Sequence, residues 1–247
     1  MEETKKTLAF IINRQDHREK DSLVTVYSVD LGKKFLVARG TKNLKSKLAG
    51  HLEPMSLSEM MIIKGKGRDY VGSVIARDCF LNIRDDLNRL YYAGKALGLF
   101  NRLVRDSQAD QALFFLLKNY LELLNNFSVG EELDKERGKL FFYSFALKLL
   151  AELGYRPDLE YCCVCGEKIS PRNNYFSFLE GALVDGKCLE EGGENRRESY
   201  TAITDNLIKL MRYILSDSME NSANVRINKK MVKDLSVVVD NFVKFCF

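Results

Sequence analysis

The sequence predicts an α+β chain in which a small β-barrel precedes a helical domain. Three observations carry the prediction. The apolar period changes from two to about 3.6 near residue 80, and short runs rich in β-branched and aromatic residues lie before that point. The cysteines gather in an irregular stretch between two of the later helical segments.

Five runs supply the strands: TLAFIINR (7–14), SLVTVYSV (22–29), KFLVAR (34–39), SLSEMMIIK (56–64) and YVGSVIAR (70–77). DLGK (30–33) and GKGRD (65–69) are short glycine-bearing connections of the kind that close hairpins. Five short strands with one long connection between the third and the fourth fit a five-stranded barrel of the oligonucleotide-binding (OB) type, placed at residues 1–80.

Residues 81–247 are assigned to the helical domain. In DLNRLYYAGKALGLFNRLVRD, Leu87, Leu90, Tyr91, Leu97, Phe100, Leu103 and Val104 are expected to line one helical face. Segments 111–124 and 139–154 are apolar over most of their circumference and are expected to be buried. Gly154, with Pro157 beyond it, stops the second of these. Segments 204–216 and 229–245 complete the helices, and a cysteine-bearing, zinc-ribbon-like insert is placed at about 157–200.

At 247 residues and 46% hydrophobic content the chain can bury a sizeable core, and 29% charged residues fit a folded protein in water rather than wholesale disorder. The start, MEETKKTLAF, mixes acids with lysines and lacks the apolar core of a signal peptide. No apolar run approaches the roughly 18 residues that span a bilayer. A cytoplasmic, nucleoid-associated protein with no membrane partner is expected. There is no internal repeat.

Charge is distributed unevenly. Residues 1–80 hold 15 Lys and Arg against 10 Asp and Glu, whereas the remaining 167 hold 23 against 24, so a polyanionic partner should meet the amino-terminal third. Lys33, Lys34, Arg39, Lys42, Lys45 and Lys47 fall in a stretch without an acid from 31 to 52, most of them in VARGTKNLKSKLAGHLEP (37–54). Lys64, Lys66 and Arg68 decorate the KGKGR hairpin. Cations neutralising phosphates release counterions and give sequence-independent affinity for nucleic acid. OB barrels add aromatic stacking worth roughly 1–3 kcal/mol per base. Tyr27, Phe35 and Tyr70 are candidate platforms, with a place in the barrel core as the competing role.

Six cysteines are too unevenly spread for a disulfide framework, and four fall within 27 positions. CCVCG places Cys162 and Cys165 at the CxxC spacing of a zinc knuckle, and DGKC places Asp185 and Cys188 in a DxxC pattern 20 residues on. Zinc accepts an aspartate oxygen, so Cys162, Cys165, Asp185 and Cys188 form a candidate structural Zn²⁺ site, with Cys163 a rival ligand and a ribbon folding without metal the alternative. Signatures of catalysis are scarce. His17 and His51 sit in no triad or HExxH pattern, and no GxxxxGK[ST] loop is present, so neither an enzyme nor a nucleotide cofactor is expected. Asp85 and Asp86 are adjacent and read as helix caps rather than as a nuclease carboxylate pair.

RQDHREKDSLVTVYSVDLGKKFLVARGTKNLKSKLAGHLEPMSLSEMMIIKGKGRDYVGSV closely resembles the amino-terminal domain of the bacterial recombination mediator RecO, and LAELGYRPDLEYCCVCG resembles that family's helix end and first zinc-ligand pair. The resemblance implies a DNA repair and homologous recombination mediator. Such a protein binds single- and double-stranded DNA and anneals complementary strands coated with single-stranded DNA-binding protein (SSB). It also contacts the SSB C-terminal tail and, with RecR, helps load RecA at gaps. Zinc-bearing members carry a second CxxC where this chain has Asp185 and Cys188. An OB-fold interaction scaffold without intrinsic DNA binding is the competing function, and salt-dependent DNA affinity separates the two.

Overall fold

Strands form where the period-two runs stand: β1 (Thr4–His17), β2 (Asp21–Ser28), β3 (Gly32–Ala38), β4 (Leu57–Ile63) and β5 (Asp69–Asp78). The computed structural model describes residues 3–128, 132–191, 199–226 and 228–247. The chain forms two compact units, Met1–Val129 and Gly130–Phe247.

In the first unit the strands close into a barrel in the order β1-β2-β3-β5-β4. All neighbours are antiparallel except β3 and β5, whose parallel pairing matches Leu36 with Asp69 and Val37 with Tyr70. β1, the longest strand, pairs with β2 on one side and β4 on the other, with an irregularity between Ile11 and Asn13 that helps it curve. Alternation then sorts the side chains. Ala9, Ile11, Val24, Val26, Leu36, Ala38, Met60, Ile62, Val71 and Val74 fill the interior, and Leu52 from the long β3–β4 connection plugs it. Each of the larger of these side chains contributes about 1.5–3 kcal/mol by leaving water.

The intervening residues on β1 and β2 face outward yet are also buried. Phe10 packs against Phe80 and Phe114, at 6.4 and 5.0 Å between ring centroids, and Tyr27 meets Phe100 edge-on at 4.8 Å. The outer barrel wall therefore shares a second core with α1 (Leu81–Arg84), α2 (Leu87–Leu103) and α3 (Gln111–Asn126), and the unit runs beyond the strands to residue 129. Gly32 makes this approach possible. Its φ is +65°, and a Cβ there would lie 2.3 Å from the Gln108 carbonyl oxygen.

Asp86 caps α2 by accepting from the N–H groups of Asn88 and Arg89, and Asp110 caps α3 in the same way through Ala112 and Leu113. The buried face of α2 differs from the expected one. Leu87 and Tyr91 are exposed, while Tyr92, Ala93, Ala96, Leu97, Phe100 and Leu103 face inward together with Arg89. Arg89 is buried because its guanidinium bonds the carbonyls of Leu124, Asn125, Phe127 and Ser128 at the end of α3 while its Nε meets Asp86 at 3.2 Å. A cation here offsets the carbonyl charge of a helix terminus.

In the second unit α4 (Lys135–Glu152) is buried on nearly every side, as its composition predicts. It ends at Gly154, with the N–H groups of Gly154 and Tyr155 bonding back to Ala151 and Leu150. The expected irregular insert contains a four-stranded sheet, β6 (Asp158–Cys162), β7 (Asn174–Ser177), β8 (Ala182–Asp185) and β9 (Tyr200–Ile203), in the order β6-β8-β7-β9. Strands of four or five residues are too short to print a period on the sequence. α5 (Gly186–Glu191) follows β8, and residues 192–198 of the expected insert lie outside the described residues. α6 (Asp205–Ser216) and α7 (Lys229–Cys246) complete the unit, capped by Thr204 and Asn228. Phe176 of β7 meets Phe242 of α7 at 5.4 Å, which seats the sheet on that helix.

Candidate nucleic-acid interface and metal centre

The basic loop is anchored at both ends and free in the middle. At its start the Gly40 N–H donates to the Asp21 carboxylate at 2.9 Å, Thr41 is buried against Ser22, and the Lys42 N–H reaches the Lys20 carbonyl. At its far end Arg14 donates to the Ala49 carbonyl and pairs with Glu53 at 2.8 Å, while Leu52 drops into the barrel. Between these anchors Asn43 and Ser46 turn the chain with local backbone bonds, and Leu44, Lys45 and Lys47 stand exposed.

The nine cations expected to meet DNA occupy different settings. Lys45, Lys47, Lys66 and Arg68 are exposed and make no ion pair among the described residues. Arg39 lies over the Tyr70 ring, 4.0 Å from its centroid, which fastens the root of the basic loop to the root of β5 just after the Lys66–Arg68 hairpin. Both basic segments thus emerge beside the β3–β5 pairing. Lys42 is tied to Asp16 at 3.0 Å and Lys64 to Glu3 at 2.9 Å, and hydrogen bonding to Glu3 holds the Lys64 ammonium above its ordinary pKa. Lys34 is half-buried, with its Nζ 3.3 Å from the Ser107 hydroxyl.

Lys33 differs from the exposed phosphate ligand that the sequence suggests. It is 7% exposed, and its ammonium donates to the Asn101 and Val104 carbonyls at 2.8 Å each and pairs with Asp106 at 3.1 Å. Its own carbonyl accepts from the Ser107 N–H, so the segment after α2 covers the part of the β3 edge that β5 leaves unpaired. Among the aromatic candidates Tyr27 is a core residue. It is fully buried, its hydroxyl donates to the Asp110 carbonyl at 3.2 Å, and burial pushes its pKa up to about 12. Phe35 is 42% exposed and Tyr70 lies under Arg39, so these two stand at the surface.

The cysteine cluster is built by a tight turn. The Gly166 N–H bonds to the Cys162 carbonyl and the Cys162 N–H to the Glu167 carbonyl, and Gly166 takes φ +74°, a conformation that suits glycine. This turn and α5 bring the Sγ atoms of Cys162, Cys165 and Cys188 within 4.8 Å of one another. Tetrahedral zinc–thiolate bonds of about 2.3 Å put sulfurs about 3.8 Å apart. Three thiols so placed fit a metal ion.

Electrostatics around Cys162 agree. Burial pushes its thiol up, but the N–H groups of Asp185, Cys165 and Val164 and the Cys165 thiol outweigh burial and hold it below its ordinary value. Hydrogen bonding to the Cys165 sulfur first, and then burial and the Cys162 sulfur, pushes the Cys188 thiol up to about 12. The two remaining sequence candidates are not in the cluster. Cys163 is exposed, and the Asp185 carboxylate is bound to Arg172 at 2.7 and 2.6 Å. The physical reason is that Arg172 and the Lys187 N–H hold the Asp185 carboxylate, while the Asp185 N–H is what meets Cys162 Sγ, 3.4 Å away.

Fold and site together define an OB-barrel protein with a helical second part that carries a three-cysteine cluster able to hold a metal ion. Residues 1–79 match the family model described as Recombination protein O N terminal, and residues 84–245 match that described as Recombination protein O C terminal. The chain belongs to the RecO family, and a role in DNA repair and recombination comes with that membership.

Among its relatives is the DNA repair protein RecO of Alkaliphilus metalliredigens, 28% identical over 96% of this chain and 92% of the relative. The protein of the same name from Dehalococcoides mccartyi is 29% identical over 97% and 89%, and that from Roseiflexus sp. is 34% identical over 90% and 74%. No helix among the described residues is long and apolar enough to cross a membrane.

Proposed function

We propose that this protein binds single- and double-stranded DNA through the amino-terminal barrel, anneals SSB-coated complementary strands, and with RecR helps load RecA at gaps. The observation that carries the proposal is the placement of Lys45, Lys47, Lys66 and Arg68. These are exposed cations without ion pairs among the described residues, on two segments that rise side by side from the β3–β5 pairing. Their charge is available to phosphates, and each phosphate neutralised releases counterions. Screening the repulsion between two strands lets base pairing drive annealing, so the protein acts without catalysis and without a nucleotide. Contacts with RecR and the SSB C-terminal tail, and a cytoplasmic, nucleoid-associated location, belong to the same proposal and rest on the family.

The test is annealing of SSB-coated complementary oligonucleotides without ATP, with DNA affinity recorded over a salt series. Rapid annealing and an affinity that falls steeply with salt are expected. Replacing Lys45, Lys47, Lys66 and Arg68 together with Gln should reduce the slope of log affinity against log salt by about 3. A wild-type protein with no salt-dependent binding would instead be an interaction scaffold.

A further inference from the structure

The cysteine cluster has three sulfur donors, and the residue standing where a fourth donor is expected is engaged elsewhere. Asp185 lies three positions before Cys188, the CxxC spacing, yet one of its carboxylate oxygens takes both the Nε and a terminal nitrogen of Arg172. The other oxygen accepts the Lys187 N–H at 3.0 Å. The Asp185 side chain is 7% exposed and that of Arg172 41%, so these charge-assisted bonds are shielded from water on the carboxylate side and open on the guanidinium side. Its main chain serves the site instead, since its N–H donates to Cys162 Sγ. Turning the carboxylate onto a metal would strand the Lys187 N–H and separate an ion pair at contact distance. Among the described residues Cys162, Cys165 and Cys188 are the His, Cys, Asp or Glu side chains whose donor atoms converge.

We propose that this chain holds a d10 ion such as Zn²⁺ through Cys162, Cys165 and Cys188 alone, leaving the fourth position to one exchangeable small donor from solvent. Arg172 sets that coordination number. It is a positioning residue: it touches no sulfur and acts by holding Asp185 off the metal. Binding replaces the thiol protons with the metal and releases them to solvent. A four-ligand protein site is closed and structural, whereas three protein ligands plus water is an open arrangement. The centre of this chain is therefore accessible to added ligands where a four-cysteine site is not.

The experiment uses the full chain, reduced and freed of metal, with Co²⁺ as the spectroscopic probe and a chromophoric chelator to measure Zn²⁺ affinity. Thiolate-to-cobalt charge-transfer bands and a tetrahedral visible spectrum are expected, and a monothiol or azide should shift the visible bands in a saturable way. Asp185→Asn should keep Zn²⁺ affinity within about twofold, while Cys188→Ser lowers it by more than about 100-fold.

Arg172→Gln frees the carboxylate to fill the fourth position, so its cobalt spectrum should no longer respond to added thiol. Arg172→Lys, which keeps a cation beside Asp185, should respond as the wild type does. Asp185→Cys should close the site, tightening Zn²⁺ by about 10-fold or more and abolishing the response. The proposal is overturned if Asp185→Asn weakens Zn²⁺ as much as Cys188→Ser does. It is equally overturned if the wild-type spectrum ignores added thiol and azide, or if the reduced chain takes up no Co²⁺.

Discussion

The barrel and the cysteine insert are both small β structures, and different forces hold them. Every strand of the barrel has a neighbour on each side, its interior is filled by aliphatic side chains from five strands, and a second core covers part of its outer wall. The insert has strands of four or five residues. One part rests on α7 through Phe176, and the tip that carries the cysteines is braced by polar bonds: the turn at Gly166, the Arg172–Asp185 pair and N–H groups aimed at sulfur. Closure lets the barrel present cations on its loops at little structural cost. On the proposal above, an ion held by the three thiols gives the insert its last order.

The largest expected effect tests the helical support of the barrel. Arg89→Ala removes a donor to the carbonyls at the end of α3 together with the buried Arg89–Asp86 ion pair, so denaturant unfolding should show a loss of about 3–5 kcal/mol. A loss below about 1 kcal/mol would show that water reaches those carbonyls freely. Lys33→Ala comes next. Two carbonyls inside the unit lose their donor, and about 1–3 kcal/mol should disappear, read by the same unfolding curve.

Removing metal addresses the other half of the comparison. Chelation should lower the thermal midpoint of the second unit and leave that of the first where it was. A common shift of both would mean that the two do not melt independently. The smallest effect on stability should come from Lys45→Gln with Lys47→Gln. These exposed side chains should change unfolding by less than about 0.5 kcal/mol while cutting the salt slope of DNA binding by about 1.5.

Lys33 and Lys45 also show what was legible in the sequence. The strands, the long third connection and the helix cap at Asp86 follow from local pattern, because alternation and capping chemistry act over a few residues. The fate of an individual lysine does not. The partners of Lys33 lie 68 to 73 positions away in the chain, and its neighbour Lys34 points to the surface from the same strand. In the same way the three-residue spacing made Asp185 resemble a ligand. Spacing fixes where a Cα can be, not which partner the carboxylate takes, and Arg172, 13 positions before it, decides that. On α2 the expected stripe holds at Leu97, Phe100 and Leu103 and fails at Leu87 and Tyr91, because Arg89, a charged residue, belongs to the buried face at the start of the helix. The signal was present as an arginine three positions after a capping aspartate, but it makes sense only beside the end of α3.

The two pairs that join β3 to β5 make the barrel a rolled sheet held by a clasp. The other four seams run through seven or more residue pairs each, so the clasp is where the roll comes undone with the fewest bonds broken. Hydrogen exchange should find it: the amide protons shared between Leu36–Val37 and Asp69–Tyr70 trade with solvent before those of the β1–β2 ladder. Arg39 on Tyr70 crosses that clasp, and the basic segments stand on either side of it. A polyanion laid over both would splint the closure, so the slowing of exchange at these few amides maps where such a strand lies.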